Sequence, residues 1–140
     1  MERQEILDSL NGTIAVLKGW KPVDGKYFLW RTPDGKLRSK TPNWAGDMTT
    51  AMQLMTEMKV AGINVGLMHN LLNGAMSVKG WTAYCRSTFD KELVHSWKYY
   101  HFEYSDEDPE IAVCKLYISW KDWMMLNHPP DEVQQEINQP

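Results

Sequence analysis

The chain lacks most of the features that identify a function from sequence. It has two cysteines in 140 residues, Cys85 and Cys114, and no Cys-x-x-Cys pair. Two cysteines are too few for a disulfide framework, and the missing pair disfavours a zinc ribbon or a thioredoxin-like site. Both cysteines lie among apolar residues, so we expect reduced thiols in the core.

Basic charge and long apolar runs are also scarce. The formal net charge is −3, which provides no global basic field to hold nucleic acid. No run approaches the ~18 apolar residues of a membrane helix. The charged first residues lack the apolar core of a signal peptide. We therefore expect a soluble, cytoplasmic protein with no membrane partner, for which nucleic acid is a disfavoured partner.

Motifs that carry catalysis or metal binding are missing as well. No two of the four histidines recur at the i, i+2 or i, i+4 spacing of metal ligands. No glycine-rich phosphate loop follows a predicted strand. The acidic run at 105–108 precedes a helix start, where capping explains it. The sequence thus predicts a protein that is not an enzyme and that has no cofactor and no metal site.

The composition is otherwise that of one globular domain. Hydrophobic residues make up 43% of the chain and charged residues 24%, close to the average for folded proteins. We expect one domain at 1–125 and a mobile, glutamine-rich tail at 126–140. The unusual feature is the presence of seven tryptophans and nine methionines. They either fill a small core or leave one or two tryptophans exposed as a partner surface.

Three helices are predicted. Ile6, Leu10, Ile14 and Leu17 share one helical face, but Gly12 interrupts the segment. Either two short helices or one helix beginning after Gly12 would satisfy this pattern. A second helix runs from an N-cap at Asp47 to about residue 60, with a methionine-rich face formed by Met48, Ala51, Met52, Met55 and Met58. A third begins at Pro109, after Asp108, and ends before His128.

Alternating apolar residues and turn signals predict the strands. A hairpin covers 26–40, with its turn at Thr-Pro-Asp-Gly (32–35), and further strands cover 63–72, 78–88 and 97–104. Asn73-Gly74 is a hairpin signal between the first two of these. The fold class is therefore α+β: an antiparallel sheet of about four to five strands covered by helices, in the order α-β-β-α-β-β-β-α.

Four sequence blocks occur in a distinctive order along the chain: Leu-Lys-Gly-Trp at 17–20, the proline-containing approach to a helix at 41–47, Gly-Trp-Thr-Ala-Tyr-Cys at 80–85, and Asp-Pro-Glu-Ile-Ala-Val-Cys-Lys at 108–115. In their order and spacing, these blocks resemble the phage ABA-sandwich family, which is similar to the NinX-like small phage proteins. The chain departs from the family at 43–47 and after Met125. The resemblance implies an α/β/α sandwich carried by phages and prophages. It implies no established activity, so it transfers no catalytic residues.

A set of cations and tryptophans is the strongest candidate for a binding site. Its members lie in predicted strands or adjoining loops: Arg31, Arg38, Lys40, Trp44, Lys79, Trp81, Arg86 and Lys98. If they converge, with Arg38, Trp44, Trp81 and Arg86 at the centre, arginine forks and aromatic faces would bind a small anionic ligand. The alternative is that these charges decorate the solvent face of a sheet.

Two functions from different classes follow. The first is a protein-interaction module that binds another protein or a second copy of itself, marked by an exposed apolar patch. The second is a small-ligand binder, such as a sponge for the nucleotide signals of bacterial immunity, marked by converging arginines and an aromatic face. The first is the preferred prediction, because the second rests partly on analogy with the suspected phage origin.

Overall fold

Three helices and six strands make up the part of the chain that the computed structural model describes, which is residues 2–24, 26–70, 80–86 and 101–127. In chain order the elements are α1 (Arg3–Leu17), β1 (Lys21–Val23), β2 (Lys26–Arg31), β3 (Leu37–Arg38), α2 (Met48–Val60), β4 (Asn64–His69), β5 (Trp81–Arg86), β6 (His101–Asp106) and α3 (Pro109–Asn127). The predicted α+β class is confirmed. None of these helices combines the length and apolar character needed to cross a bilayer.

The strands divide between two antiparallel sheets. Sheet A has the order β1-β2-β3 and sheet B the order β4-β5-β6. The prediction of one sheet with four to five strands is therefore not confirmed by the described residues. The difference comes partly from β1, which was not predicted because Pro22 interrupts it. Pro22 is tolerated there since β1 is an edge strand, where a missing N–H costs no ladder hydrogen bond.

α1 is one continuous helix, whereas the sequence predicted two short helices or one beginning after Gly12. Tertiary contacts explain the difference. The Asn11 side chain donates to Asn43 Oδ1 (2.9 Å) and accepts from the Ala45 N–H (2.8 Å). Gly12 lies against the indole ring of Trp30. These contacts offset the roughly 1 kcal/mol that an internal glycine costs a helix.

The buried face of α1 also differs from the predicted one. It consists of Leu7, Asn11, Ile14 and Ala15, while Val16 is exposed. Ile14 alone belongs to both the predicted and the observed face. The apolar pattern missed this face because a polar side chain, Asn11, sits at its centre. Such a residue is tolerated in the core only when its hydrogen bonds are made, as they are here.

The predicted β2–β3 hairpin and its turn are confirmed. Thr32 N–H donates to Lys36 O (2.8 Å), and Gly35 supplies the positive φ of 88° that the turn requires. Trp30 on β2 pairs with Arg38 on β3 and with Pro22 on β1. Trp30 is 2% exposed. The hairpin is thereby fixed against α1 by a single large aromatic side chain.

α2 starts and stops where the sequence predicted. Asp47 is the extended N-cap residue, although its carboxylate accepts from the Thr50 hydroxyl (2.5 Å) and not from a backbone N–H. This hydrogen bond lowers the pKa of Asp47. Gly62, with a φ of 87°, follows the helix end. The buried face is Ala51, Leu54, Met55 and Met58, so Met52, which the prediction included, lies outside the core.

Sheet B packs one face against α3, and α2 packs against β4. The ladder is regular, from Asn64 opposite Arg86 to His69 opposite Trp81. α3 also contacts α1 and α2, so it is the central helix of the core. Its fully buried side chains include Val113, Cys114, Leu116 and Tyr117.

Both cysteines are free and buried, as predicted. Burial raises the pKa of each thiol, Cys85 and Cys114, to about 12. Some predictions fall on residues outside the described ranges: the Asn73-Gly74 turn, the ends of the strands predicted at 63–72, 78–88 and 97–104, and the tail from 128 onward. At the predicted tail boundary α3 continues to Asn127.

Candidate functional site

The four residues at the centre of the predicted ligand site do not meet at one place. Arg38 lies exposed on β3, and its guanidinium donates to Leu37 O (3.1 Å). Trp44 is 3% exposed and belongs to the core. Its ring is contacted by the Lys18 ammonium, 6.0 Å from the ring centroid. A buried indole of this kind offers no face on which a ligand can stack.

Trp81 and Arg86 occupy opposite ends of β5. They are five positions apart along the strand, roughly 17 Å at the usual rise. The odd spacing also directs their side chains to opposite faces of sheet B. Trp81 packs against His69, with ring centroids 4.8 Å apart. The two side chains therefore lie in different parts of sheet B.

The remaining cations of that set are also dispersed. Arg31 donates to Gly35 O (3.2 Å) and braces the turn of sheet A. Lys40 borders a groove that is described below. Lys79 and Lys98 lie outside the described residues. Within the described ranges, the set therefore forms no cluster of arginines around an aromatic face.

A histidine on β6 lies next to a carboxylate of the same strand. His101 Nε2 and Glu103 Oε1 lie 3.1 Å apart on the exposed face of β6. No group of three His, Cys, Asp or Glu side chains that could hold a metal ion occurs among residues 2–24, 26–70, 80–86 and 101–127. The contact is an exposed pair on one strand.

A groove lies between α1 and sheet A. Its volume is about 1030 Å³. We call it the α1–β2 groove. Its lining comes from α1 (Gln4, Asp8, Ser9, Asn11, Gly12, Thr13, Val16 and Leu17), from β2 (Phe28 and Trp30) and from the segment after β3 (Ser39, Lys40, Thr41 and Asn43).

Exposed apolar side chains stand on two walls of the α1–β2 groove. Phe28 on β2 is 67% exposed and Val16 on α1 is 51% exposed. Phe28 shares a face of β2 with the buried Trp30, so the groove floor continues directly into the core. Large apolar side chains held in water around one concavity are typical of a binding surface.

The rim of the groove is polar and nearly neutral. Among the described lining residues, Asp8 is the one acidic and Lys40 the one basic side chain. The Asp8 carboxylate accepts from Gln4 Nε2 (2.8 Å), and the Thr13 hydroxyl donates to Ser9 O (2.9 Å). This rim has no excess of positive charge for an anion.

Asn11 connects two sides of the groove by hydrogen bonds. Its side chain binds both the Asn43 side chain and the Ala45 backbone. These two hydrogen bonds tie the segment that follows β3 to α1, 32 and 34 residues away in sequence. Because Asn11 is 7% exposed, the groove is built on a buried polar anchor.

A group of charges lies where the three helices meet, and we call it the Lys18–Glu57–Lys121 junction. Lys18 Nζ lies 2.9 Å from Glu57 Oε1, and Lys121 Nζ lies 4.0 Å from Glu57 Oε2. The Lys18 ammonium is 5.4 Å from the Tyr117 ring centroid, and the Lys121 ammonium is 5.1 Å from that of Trp120. One carboxylate on α2 thereby links α1 to α3.

The junction shifts the pKa values of its members. Burial opposes ionisation of Glu57, but the Tyr117 hydroxyl and the Lys18 ammonium outweigh it, so the pKa of Glu57 is lowered. Burial, followed by the nearby carboxylate, raises the pKa of Tyr117. The Tyr117 hydroxyl makes no hydrogen bond of normal geometry with any described residue. Because the Glu57 carboxylate already lies between the two lysines, the junction is occupied by its own negative charge and does not form a site for a bound anion. We interpret it as an ionic contact that stabilises helix packing.

Sequence reasoning missed the α1–β2 groove. Its signal was present in two periodicities: Asp8, Gly12 and Val16 recur every four residues along α1, and Phe28 and Trp30 alternate on β2. Neither pattern shows that the helix and the hairpin face each other.

No family model, no curated protein and no solved structure matches the chain. The geometry of the described residues is therefore the basis for assigning a function.

Proposed function

We propose that the chain is a protein-interaction module that binds a segment of another protein in the α1–β2 groove. The observation that supports this most is the exposure of Phe28, at 67%, on the wall of a groove of about 1030 Å³. Burying an aromatic side chain of this size contributes about 1.5–3 kcal/mol. A partner that covers Phe28 and Val16 together would gain a compact apolar contact.

The composition of the groove favours a peptide segment over a small anion. Asp8 and Lys40 balance each other, and there is no arginine among the described residues that line the groove. Protein interfaces combine an apolar centre, depleted in charge, with a polar rim. The α1–β2 groove has this arrangement, with Phe28, Trp30 and Val16 at the centre and serine, threonine and asparagine side chains around it. We infer an uncharged peptide segment that carries at least one large apolar side chain.

A nucleotide-signal sponge is the second hypothesis, and the geometry supports it less. Arg38, Trp44, Trp81 and Arg86 are dispersed over both sheets and the core, as described above. No observation in the described residues singles out a phosphate-binding site. We therefore develop the protein-binding proposal.

The same proposal includes a setting and a fold family. It describes a phage or prophage accessory protein that binds without catalysis in the cytoplasm of a bacterial host. It also includes the α/β/α layering of the ABA-sandwich family. The support for these parts is the order and spacing of the four sequence blocks at 17–20, 41–47, 80–85 and 108–115.

Selection from a random peptide library tests the groove. Peptides are enriched on the wild-type protein and counter-selected on a Phe28→Ser variant. Their affinities are then measured by fluorescence polarisation. Peptides that use the groove should lose roughly tenfold or more in affinity for Phe28→Ser, because one buried aromatic contact is worth at least that factor.

Val60→Ser is the matched control. Val60 on α2 is 84% exposed, so this variant removes an even more accessible apolar side chain that is not among the groove-lining residues. It should leave affinity unchanged. Amide chemical shifts on titration with the peptide should change in α1, β2 and residues 39–43. Selected peptides that bind wild type and Phe28→Ser equally would contradict the proposal.

A further inference from the structure

The four edge strands of the two sheets differ in how they are protected against pairing. β1 carries Lys21, Pro22 and a register irregularity, and β3 has two residues. β6 carries Glu103 and Asp106. Short length, proline, irregularity and charge are the usual features that prevent a sheet edge from adding another strand. β4 has none of them: its sequence is Asn-Val-Gly-Leu-Met-His over six residues.

The backbone of β4 is also regular, and its register shows which of its N–H and C=O groups point away from β5. Its register with β5 runs unbroken from Asn64 to His69. The Asn70 N–H donates to Gly80 O (2.8 Å), which makes that pair a hydrogen-bonded one. Because such pairs alternate along an antiparallel ladder, the even-numbered residues of β4 bind β5. Val65, Leu67 and His69 therefore direct their N–H and C=O groups away from β5, to an edge with no strand partner among the described residues.

We propose that a second copy of this chain pairs with β4 antiparallel, across a two-fold axis at Leu67. In this register Leu67 lies opposite Leu67 of the second copy, and Val65 lies opposite His69 of the second copy. All three outward residues then form hydrogen-bonded pairs. The two sheets B join into one sheet of six strands, and the interface is isologous, as in most homodimers.

The side chains of the outer face fit this register. A Cβ at Gly66 would collide with the Tyr84 hydroxyl, so Tyr84 lies across Gly66. Met68 is 54% exposed. The register places Met68 opposite Gly66 of the second copy in a non-hydrogen-bonded pair, where side chains approach most closely. Met68 thus reaches the Tyr84 ring beyond Gly66, and sulfur–aromatic contacts of this type are favourable. The two-fold axis makes the contact occur twice.

Sedimentation velocity over a concentration series tests the proposal, with the wild type compared with Met68→Lys. The wild type should associate to a dimer as its concentration rises. Met68→Lys should weaken the dimer by roughly tenfold or more, because it places charge on the edge and removes two buried methionine contacts. Val60→Lys, at a more exposed apolar position on α2, is the matched control and should dimerise as the wild type does.

Amide hydrogen exchange gives a second readout that is specific to the edge. On dimer formation the N–H groups of Val65, Leu67 and His69 should gain protection, while Gly66 and Met68 are protected at every concentration through β5. A wild type that stays monomeric over the series would overturn the proposal, as would a dimer that Met68→Lys leaves intact. Neither result bears on the α1–β2 groove, which shares no residue with β4.

Discussion

Replacing Glu57 by glutamine removes the charge of the Lys18–Glu57–Lys121 junction and preserves its shape. Glu57 lies on α2 and Lys121 on α3, and Lys18 directly follows α1. The variant therefore isolates the contribution of this carboxylate to helix packing. The structure predicts a loss of stability without a change of fold. The two lysines would remain half-buried beside each other, with only a neutral amide between them.

The expected loss is about 1 kcal/mol at neutral pH. Hydrogen bonds to charged groups contribute roughly 1.5–3 kcal/mol when buried, whereas exposed ion pairs contribute about 0–1 kcal/mol. The Lys18 and Glu57 side chains are 24% and 36% exposed, so solvent screening reduces the buried figure. For a chain of this length, about 1 kcal/mol corresponds to a fall in Tm of roughly 3–4 °C.

The pH dependence follows from the sign of the pKa shift. The pKa of Glu57 in the folded protein is lowered from its ordinary value of 4.5. A carboxylate of this kind contributes stability that is fully present above its unfolded pKa and is lost as the pH falls through the folded pKa. The difference in stability between wild type and Glu57→Gln should therefore be constant near neutrality and shrink as the pH falls below about 4.5.

Urea unfolding at pH 7 and at an acidic pH measures this difference. Lys18→Met should destabilise the protein to a similar degree. Lys36→Met is the matched control, since Lys36 and Asp34 form an ion pair at 3.7 Å with both side chains more than 60% exposed. It should change little. Equal effects of the two lysine variants, or a Glu57→Gln effect that does not vary with pH, would refute the reasoning.

Two further predictions concern buried groups. Asn11→Ala should lower the free energy of unfolding, measured with urea, by about 1–3 kcal/mol, because it leaves the Ala45 N–H without its acceptor. The same variant should weaken the affinity of any peptide that binds the α1–β2 groove. A stable variant with unchanged peptide affinity would contradict the role of Asn11 as an anchor. The second prediction concerns Cys85 and Cys114, whose thiol pKa values burial raises to about 12. Both thiols should resist a thiol reagent in the native protein at pH 8 and react fully after the protein is unfolded. Rapid labelling of the native protein would show that the thiols are accessible.

Helix boundaries and turns were largely predictable because local chemistry determines them. Gly35 and Gly62 adopt the positive φ that their positions suggested, and Pro109 begins α3 as expected. The prediction failed where tertiary contacts override local preference. α1 runs through Gly12 because Asn11 and Trp30 hold it, and neither contact can be inferred from the helix itself.

Whether the candidate ligand residues converge could not be predicted from the sequence, for a related reason. Arg38, Trp44, Trp81 and Arg86 share a chemical character, but convergence depends on which strands pair and which faces they share. A division into two sheets separates Arg38 from Trp81 and Arg86, and burial removes Trp44 from any surface. A sequence lists the residue types that a site requires, but it does not specify the distances between their side chains in the fold.

The proposed groove binding and the proposed pairing at the β4 edge are two binding modes that the same chain could use together. In the first proposal, the α1–β2 groove presents side chains, so its partner would be recognised by apolar shape and could differ in sequence as long as a large side chain covers Phe28. In the second proposal, the β4 edge presents backbone, and a second copy would fit it because the register that satisfies Val65, Leu67 and His69 also brings Met68 to Gly66 and Tyr84. Since the two surfaces share no residue, a dimer built through β4 would carry two grooves. Binding to a partner with two target segments would then be strengthened by effective concentration, without any new contact in either groove.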